Sequence, residues 1–296
     1  MQNDCINCFF EQANKLFIKH NIQDETAKEL ILKLNLFIDE NRETTIAIPE
    51  ASCYLHRLLK KELHINDLYK KEKDDYNDLL MGLEAEIRTI IKDSVNPFQT
   101  AVQYALAGNI IDFGLPKSFD VFKALSSAVL TEPAINHTGL LQNELQKASM
   151  VLYLGDNTGE IVLDKLLIET IHHPNLYFAV RGGNIINDVT MKDARSVGIT
   201  KIAKVISNGY DAPSTIINKC SAEFRKIFYE ADIIISKGQG NLEGLIDNTD
   251  KKIFFLLMVK CKVIAAKIGV QVGDVVVVSN QSKNFQINRS MTGKSN

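Results

Sequence analysis

The stretch MVLYLGDNTGEIVLDKLLIE, residues 150–169, decides how the second half of this chain is read. An apolar run, Val151–Leu154, breaks at Gly155, sets out Asp156 and Asn157, and is followed by an amphipathic helical pattern. Similar short runs recur downstream in NLYFAVRGG, KIAKVISNG, ADIIISKGQGN and VGDVVVVS. Val- and Ile-rich runs of this length, alternating with helical patterns, predict βαβ units around a buried parallel sheet. Such sheets bind ligands outside the carboxyl ends of their strands, near a switch point in strand order.

Upstream, residues 1 to about 145 read as helices. DETAKELILKLNLFIDEN spaces Ala27, Leu30, Ile31, Leu34 and Ile38 by three and four residues, and DLLMGLEAEIRTIIKDS does the same with Leu79, Leu83, Ile87 and Ile90. Asp24 and Asp78 are expected helix starts, and the Asn96-Pro97 step resets the chain before PFQTAVQYALAG. The expected architecture is α/β: an N-terminal helical bundle or cap (1–145) and a Rossmann-like three-layer α/β domain with a mostly parallel sheet (146–280). The polar, aperiodic residues 281–296 read as a mobile tail.

Composition narrows the function. The 296 residues are 45% hydrophobic and 24% charged, with a formal net charge of −2, so no basic face for nucleic acid is indicated. No apolar window reaches the ~18 residues of a membrane span, and MQNDCINCFFEQ has no basic segment leading into an apolar one. A cytoplasmic protein is expected, and an odd count of five cysteines fits reduced thiols better than a disulfide framework.

The polar residues gather at the ends of the expected strands. The first ends in Asp156-Asn157-Thr158-Gly159-Glu160, and the second in Arg181-Gly182-Gly183 followed by Asn187-Asp188. Ser207-Asn208-Gly209 with Asp211 closes the third, and Ser236-Lys237-Gly238-Gln239-Gly240-Asn241 the fourth. Each group alone is an ordinary cap or turn. Together, carboxylates, carboxamides, an Arg and a Lys make a site for a hard cation and an anionic substrate. The first turn lacks the G-x-G-x-x-G of a dinucleotide site, and a carboxylate there repels phosphate unless a cation lies between them.

LGDNTGEIVLDKLLIE, VRGGNIINDVTMKDA, ISKGQGN and AGNIIDFG together resemble the damage-control phosphatase family, also described as acidic-residue-methyltransferase-like, and the N-terminal Cys5-x-x-Cys8 resembles its archaeal and bacterial branch. The likeness runs from CINCFFEQ to KCKVIAAKIGVQVGD. It implies a metal-dependent phosphatase of small phosphorylated metabolites, with the metal on Asp156, Asn157 and Asp188. The family's R-G-G-P reads Arg181-Gly182-Gly183-Asn184 here, which is expected to loosen the loop before the third ligand. The Arg-Thr-x-Lys motif of the eukaryotic branch is absent, so sugar-phosphate preference does not carry over.

Oxygen donors favour magnesium or manganese, with cobalt or nickel as possible activators. Lys237 is the expected phosphate ligand and catalytic partner, with Asn109, Asp112, Glu160, Arg181, Asn187 and Asp211 as further substrate-binding candidates. Arg181 has the alternative of pairing with Asp211, and Asn109 and Asp112 that of capping a helix. The nucleophile is either water or Asp156 itself. Cys5 and Cys8 are either packing residues or, with Cys53 and Cys261, a zinc site; His172-His173 read as structural. The rival functions are an S-adenosylmethionine-dependent methyltransferase, which normally opens with a Gly-rich first turn, and a non-catalytic metabolite-binding module.

Overall fold

The structure is a computed structural model that describes residues 3–41, 47–110, 121–248, 250–283 and 285. Its sheet has seven strands in the order β1-β7-β6-β5-β2-β3-β4: β1 (Ile135–Asn136), β2 (Val151–Leu154), β3 (Leu176–Val180), β4 (Lys204–Ser207), β5 (Ile233–Lys237), β6 (Ile253–Met258) and β7 (Val275–Ser279). All neighbours are parallel except β6 and β7. The central strands β2 and β5 are buried at every residue, which is why β2 and the first three residues of β5 read as apolar runs. The fold is α/β, as the alternating texture predicts. Two strands escaped the reading: the two-residue edge strand β1, and β6, whose IFFLLM run lies between charged neighbours.

Chain order leaves β2 toward β3 and β4, then returns to β5 on the other side of β2. The switch point therefore falls between the carboxyl ends of β2 and β5. Alternate residues feed two cores. Val151, Tyr153, Ile233 and Ile235 pack with α5 (Pro97–Ile110) and α8 (Glu160–Ile171) on one face. Leu152, Leu154 and Ile234 pack on the other with α10 (Ala222–Glu230), α11 (Gly238–Leu245) and α12 (Lys262–Ile268).

Three more helices, α1 (Asn3–Lys19), α2 (Asp24–Glu40) and α3 (Ala47–Leu63), share a separate core through Phe9, Leu16, Leu30, Leu34, Ile38 and Leu55. Helix α4 (Lys70–Asp93) begins eight residues before the expected start at Asp78; the charged segment KKEKDDYN is carried by the i,i+4 pairs Lys70–Asp74 and Lys71–Asp75. Its buried stripe is Leu80, Ile87 and Ile91, so the expected Leu79 and Ile90 face outward. Helix α2 does begin at Asp24, and Asn96 caps α5 through Gln99 N at 3.1 Å with Pro97 as its first residue. Beyond β7, Phe285 is buried and stacks on Phe255, so a packed residue falls within the segment expected to be a tail. Among the described residues no helix is long and apolar enough to cross a membrane.

Candidate active site

At the switch point the backbone itself is tightly fitted. A side chain at Gly238, which follows β5 with φ of 76°, would meet the Asp156 carboxylate at 1.9 Å. Gly182 after β3 is equally constrained, since a Cβ there would stand 2.3 Å from Tyr210 N. Asp156 O accepts from Val189 N at 2.8 Å, and Asn157 and Asp188 form an isolated antiparallel bridge, so the loops after β2 and β3 are laced together. This brings Asp156, Asn157 and Asp188 to one place although 31 positions separate Asn157 from Asp188.

Asp156 and Asp188 are both buried. Burial, then the charges of Glu160 and Asp188, hold the Asp156 carboxyl well above the ordinary carboxylate range, with Arg181 acting in the opposite sense. Burial likewise raises Asp188 against the pull of Arg181. Arg181 Nε donates to Asp188 Oδ2 at 2.6 Å, its Nη1 donates to Asn241 Oδ1 at 2.8 Å, and its Nη2 lies 3.7 Å from Asp156 Oδ1 without a hydrogen bond. Arg181 thus pairs with Asp188, not with Asp211.

Glu160, at the first turn of α8, completes the acidic group. Asn157 Nδ2 donates to Asp156 Oδ2 at 2.7 Å and to Glu160 Oε2 at 3.2 Å. Asn109 Nδ2 reaches the same two carboxylates at 3.3 and 3.2 Å, while its Oδ1 accepts from Met258 N at 3.0 Å. Asn187 lines the pocket and receives Thr158 N on its carbonyl at 2.9 Å. Asp112 lies outside the described residues.

Two expected positions differ in the structure. Lys237 has no exposed surface: its Nζ donates to Glu160 Oε1 at 2.5 Å, Asp164 Oδ1 at 2.5 Å and Ala105 O at 2.9 Å, which uses all three ammonium donors. The reason is strand alternation, since Lys237 follows Ile233 and Ile235 onto the face covered by α5 and α8. It sits beneath the carboxylates and does not line the pocket. Asp211 is held by Arg57 of α3, through Nε at 3.1 Å and a second bond from Nη2, and accepts from Cys53 Sγ at 3.3 Å. It fastens the helical region to the sheet.

Asn184 also departs from expectation. Its carbonyl accepts from Lys60, its Nδ2 donates to Asn66 O at 3.3 Å, and its Oδ1 accepts from Lys73 Nζ at 3.5 Å. The loop that lacks a proline is therefore tied to the helical region instead of loosened. Lys73 adds an ion pair to Asp193 at 3.1 Å, and Asn77 Oδ1 accepts from Gly159 N at 2.8 Å.

The cavity above these groups has a volume of about 580 Å³. Its floor is Asp156–Glu160 with Asn187 and Asp188; Phe9, Leu16, Leu55, Tyr69 and Tyr76 from α1, α3 and α4 and their flanks form its roof. Lys260, just past β6, also lines it, and its charge acts on Asp156. Lys260, Thr215 and Asp164 escaped the reading, and Asn241 was named only within the polar group that closes the fourth expected strand. The signals available were the spacing of Asn241 four residues after Lys237 and of Asp164 four after Glu160, one helical turn in each case. Cys53 is buried beside Asp211, and the Cys5 thiol is raised by burial and then by Cys261, Glu243 and Cys8. The alternative of four thiols around one ion is not met among the described residues.

Among the described residues no three histidine, cysteine, aspartate or glutamate side chains are arranged to hold an ion. At the switch point the oxygen donors are two carboxylates and a carboxamide, crowded by a third carboxylate. That excess of buried negative charge fits a divalent cation.

The model of the damage-control phosphatase ARMT1-like domain matches residues 1–276. The chain belongs to the damage-control phosphatase family. A damage-control phosphatase of Pyrococcus horikoshii is 32% identical over 295 residues, covering 96% of this chain and 99% of the relative. A damage-control phosphatase of Archaeoglobus fulgidus is 37% identical over 231 residues, 75% of this chain and 79% of the relative. The crystal structure of a P. horikoshii protein from the same family, described as DUF89, superposes with a TM-score of 0.84 at 28% identity, covering 95% of this chain and 99% of that one. In this damage-control phosphatase the cavity lies at the β2/β5 switch point, with Asp156, Asn157 and Asp188 among its lining residues.

Proposed function

We propose that the protein is a divalent-cation-dependent phosphomonoesterase whose cation is held by Asp156, Asp188 and the amide oxygen of Asn157. The observation that carries this reading is the convergence of Asp156, Glu160 and Asp188 in a buried place where, among the described residues, Arg181 and Lys237 are the buried cations paired with them. When bound, a cation neutralises phosphoryl oxygens and lowers the pKa of a coordinated water. Oxygen ligands fit magnesium or manganese.

The chain's own groups have distinct tasks. Arg181 fixes Asp188 and, through Asn241 and Thr215, is itself fixed against the α11 side of the sheet. To Lys260 falls the role first expected of Lys237, since it is exposed and lines the cavity, and a cation there can offset phosphoryl charge. The apolar and aromatic roof receives the body of the substrate and limits water around the ester. Phosphomonoester hydrolysis is extremely slow without a catalyst, so holding the phosphoryl group and balancing its charge is the main demand on the site.

The deciding experiment is a panel of phosphorylated sugars, nucleotides and cofactors, assayed after chelation and re-addition of single divalent metals. Hydrolysis restored by Mn(II) or Mg(II) and lost in Asp156→Asn supports the reading. Full hydrolysis in chelator overturns the cation dependence.

A further inference from the structure

Tyr153 and Asp164 are the least expected polar residues in this fold. Both have no exposed surface and sit in the apolar layer between the sheet and α5 and α8. Tyr153 Oη donates to Asp164 Oδ1 at 2.6 Å, and the same oxygen accepts from Lys237 Nζ at 2.5 Å. Lys237 in turn donates to Glu160 Oε1 at 2.5 Å, and Glu160 Oε2 accepts from Asn157 Nδ2 at 3.2 Å. A continuous chain of contacts thus runs from the middle of the core to the floor of the cavity.

Stability does not account for this chain. Burying a lysine between two carboxylates carries desolvation costs that apolar residues of similar volume avoid, and such replacements are often neutral or stabilising. Asp164 Oδ2 moreover has no hydrogen-bond partner. What the chain does achieve is directional. A carboxamide has a donor end and an acceptor end, and Asn157 turns its donor end to Glu160 and Asp156. Turning it over would set its oxygen against two carboxylates. Its oxygen is therefore the end left for a cation.

We propose that Tyr153 and Asp164 are positioning residues for cation binding: acting through Lys237 and Glu160, they fix the Asn157 amide with its carbonyl oxygen presented to the cation. The inference rests on the cation-dependent function proposed for this site. Neither residue touches the cavity, and neither is a ligand. Asn109 does not share this role, because its oxygen is already committed to Met258 N.

The test is Mn(II) binding to the metal-free full chain by calorimetry, for the parent, Tyr153→Phe and Asp164→Asn, with thermal unfolding to establish that each variant is folded. Each variant should bind Mn(II) roughly 10-fold more weakly, the scale of losing an outer-shell support. The same substitutions are repeated with Asn157→Asp, whose two oxygens are equivalent and need no orienting; there the loss should shrink to within about twofold, the limit of additivity. Tyr153→Phe removes one hydroxyl and carries the test if Asp164→Asn does not fold. Parent-like affinity in Tyr153→Phe, or an undiminished loss in the Asn157→Asp background, overturns the inference alone. A parent that binds no Mn(II) overturns the cation reading together with it.

Discussion

Arg181 Nε and Asp188 Oδ2 lie 2.6 Å apart, both side chains almost wholly buried, and the same guanidinium stands 3.7 Å from Asp156. One cation of the chain thus serves two carboxylates that it cannot fully neutralise. Removing one partner of a buried pair costs about 3–5 kcal/mol, because the other charge is stranded. Arg181→Met should accordingly lower the unfolding free energy of the metal-free protein by that order. Saturating Mn(II) should restore part of the loss in a urea titration, since a ligand that binds only the native state stabilises it. Parent-like stability without metal would show that Asp188 does not depend on Arg181.

The raised Asp156 and Asp188 carboxyls make the metal-free protein sensitive to pH in a defined direction. Above the ordinary aspartate value of about 3.9 the unfolded chain releases protons that the native state still holds. The native state then binds more protons, so stability falls as pH rises and levels off only above the raised native values. Thermal unfolding of the chelated protein should show this decline, Asp156→Asn should show a shallower one, and Mn(II) should offset it by taking the place of the protons. If the chelated protein instead gained stability as pH rose, and Asp156→Asn abolished that gain, the Asp156 carboxyl would be lowered by folding and not raised.

Lys237→Met should impair folding before it impairs catalysis. The substitution leaves Glu160 and Asp164 without their cation at sites with almost no exposure, and a cost of about 3–5 kcal/mol is expected. Denaturant midpoints measured beside kcat would check this. A variant as stable as the parent that has merely lost turnover would return Lys237 to direct contact with phosphate.

Lys260 gives the opposite pattern. It is exposed, so Lys260→Met should fold normally, and with one positive charge removed from beside Asp156 it should bind Mn(II) at least as tightly as the parent. Its kcat/KM for a phosphomonoester should fall ~10²-fold, the scale of removing one strong electrostatic contact to a developing charge. Steady-state kinetics at the parent value would exclude Lys260 from phosphate recognition.

Cys5→Ala combined with Cys8→Ala should leave turnover intact and cost about 1 kcal/mol per site at most. Both thiols belong to α1, one partly buried and one exposed, and neither lines the cavity. Zinc bound one per chain in the parent and lost in the double variant would show instead that they ligate.

The residues that end the strands were legible without a structure because a parallel sheet covered on both faces imposes apolar runs, and polar groups can cluster only where those runs stop. Asp156, Asn157, Glu160, Arg181 and Asp188 all stand at such ends, and the structure brings them together. The two-residue strand β1 carries too few residues for a pattern, and β6, in KKIFFLLMVK, is a short apolar run that periodicity does not separate from a buried helix segment. With β6 went Lys260, whose place at the cavity depends on which strand neighbours β5.

Partners across the chain were settled only by tertiary packing. Asp211 meets Arg57 across 154 positions, Asn184 meets Asn66 across 118, and Lys237 meets Ala105 across 132. Local sequence sets which side of a strand or helix a residue takes, and the alternation that buries Lys237 was available in Ile233, Ile235 and Lys237 themselves. It does not set which element covers that side. Whether a lysine at the end of a strand reaches a cavity or closes a buried ion cluster depends on α5 and α8 lying over it, and that is decided by the packing of the whole chain.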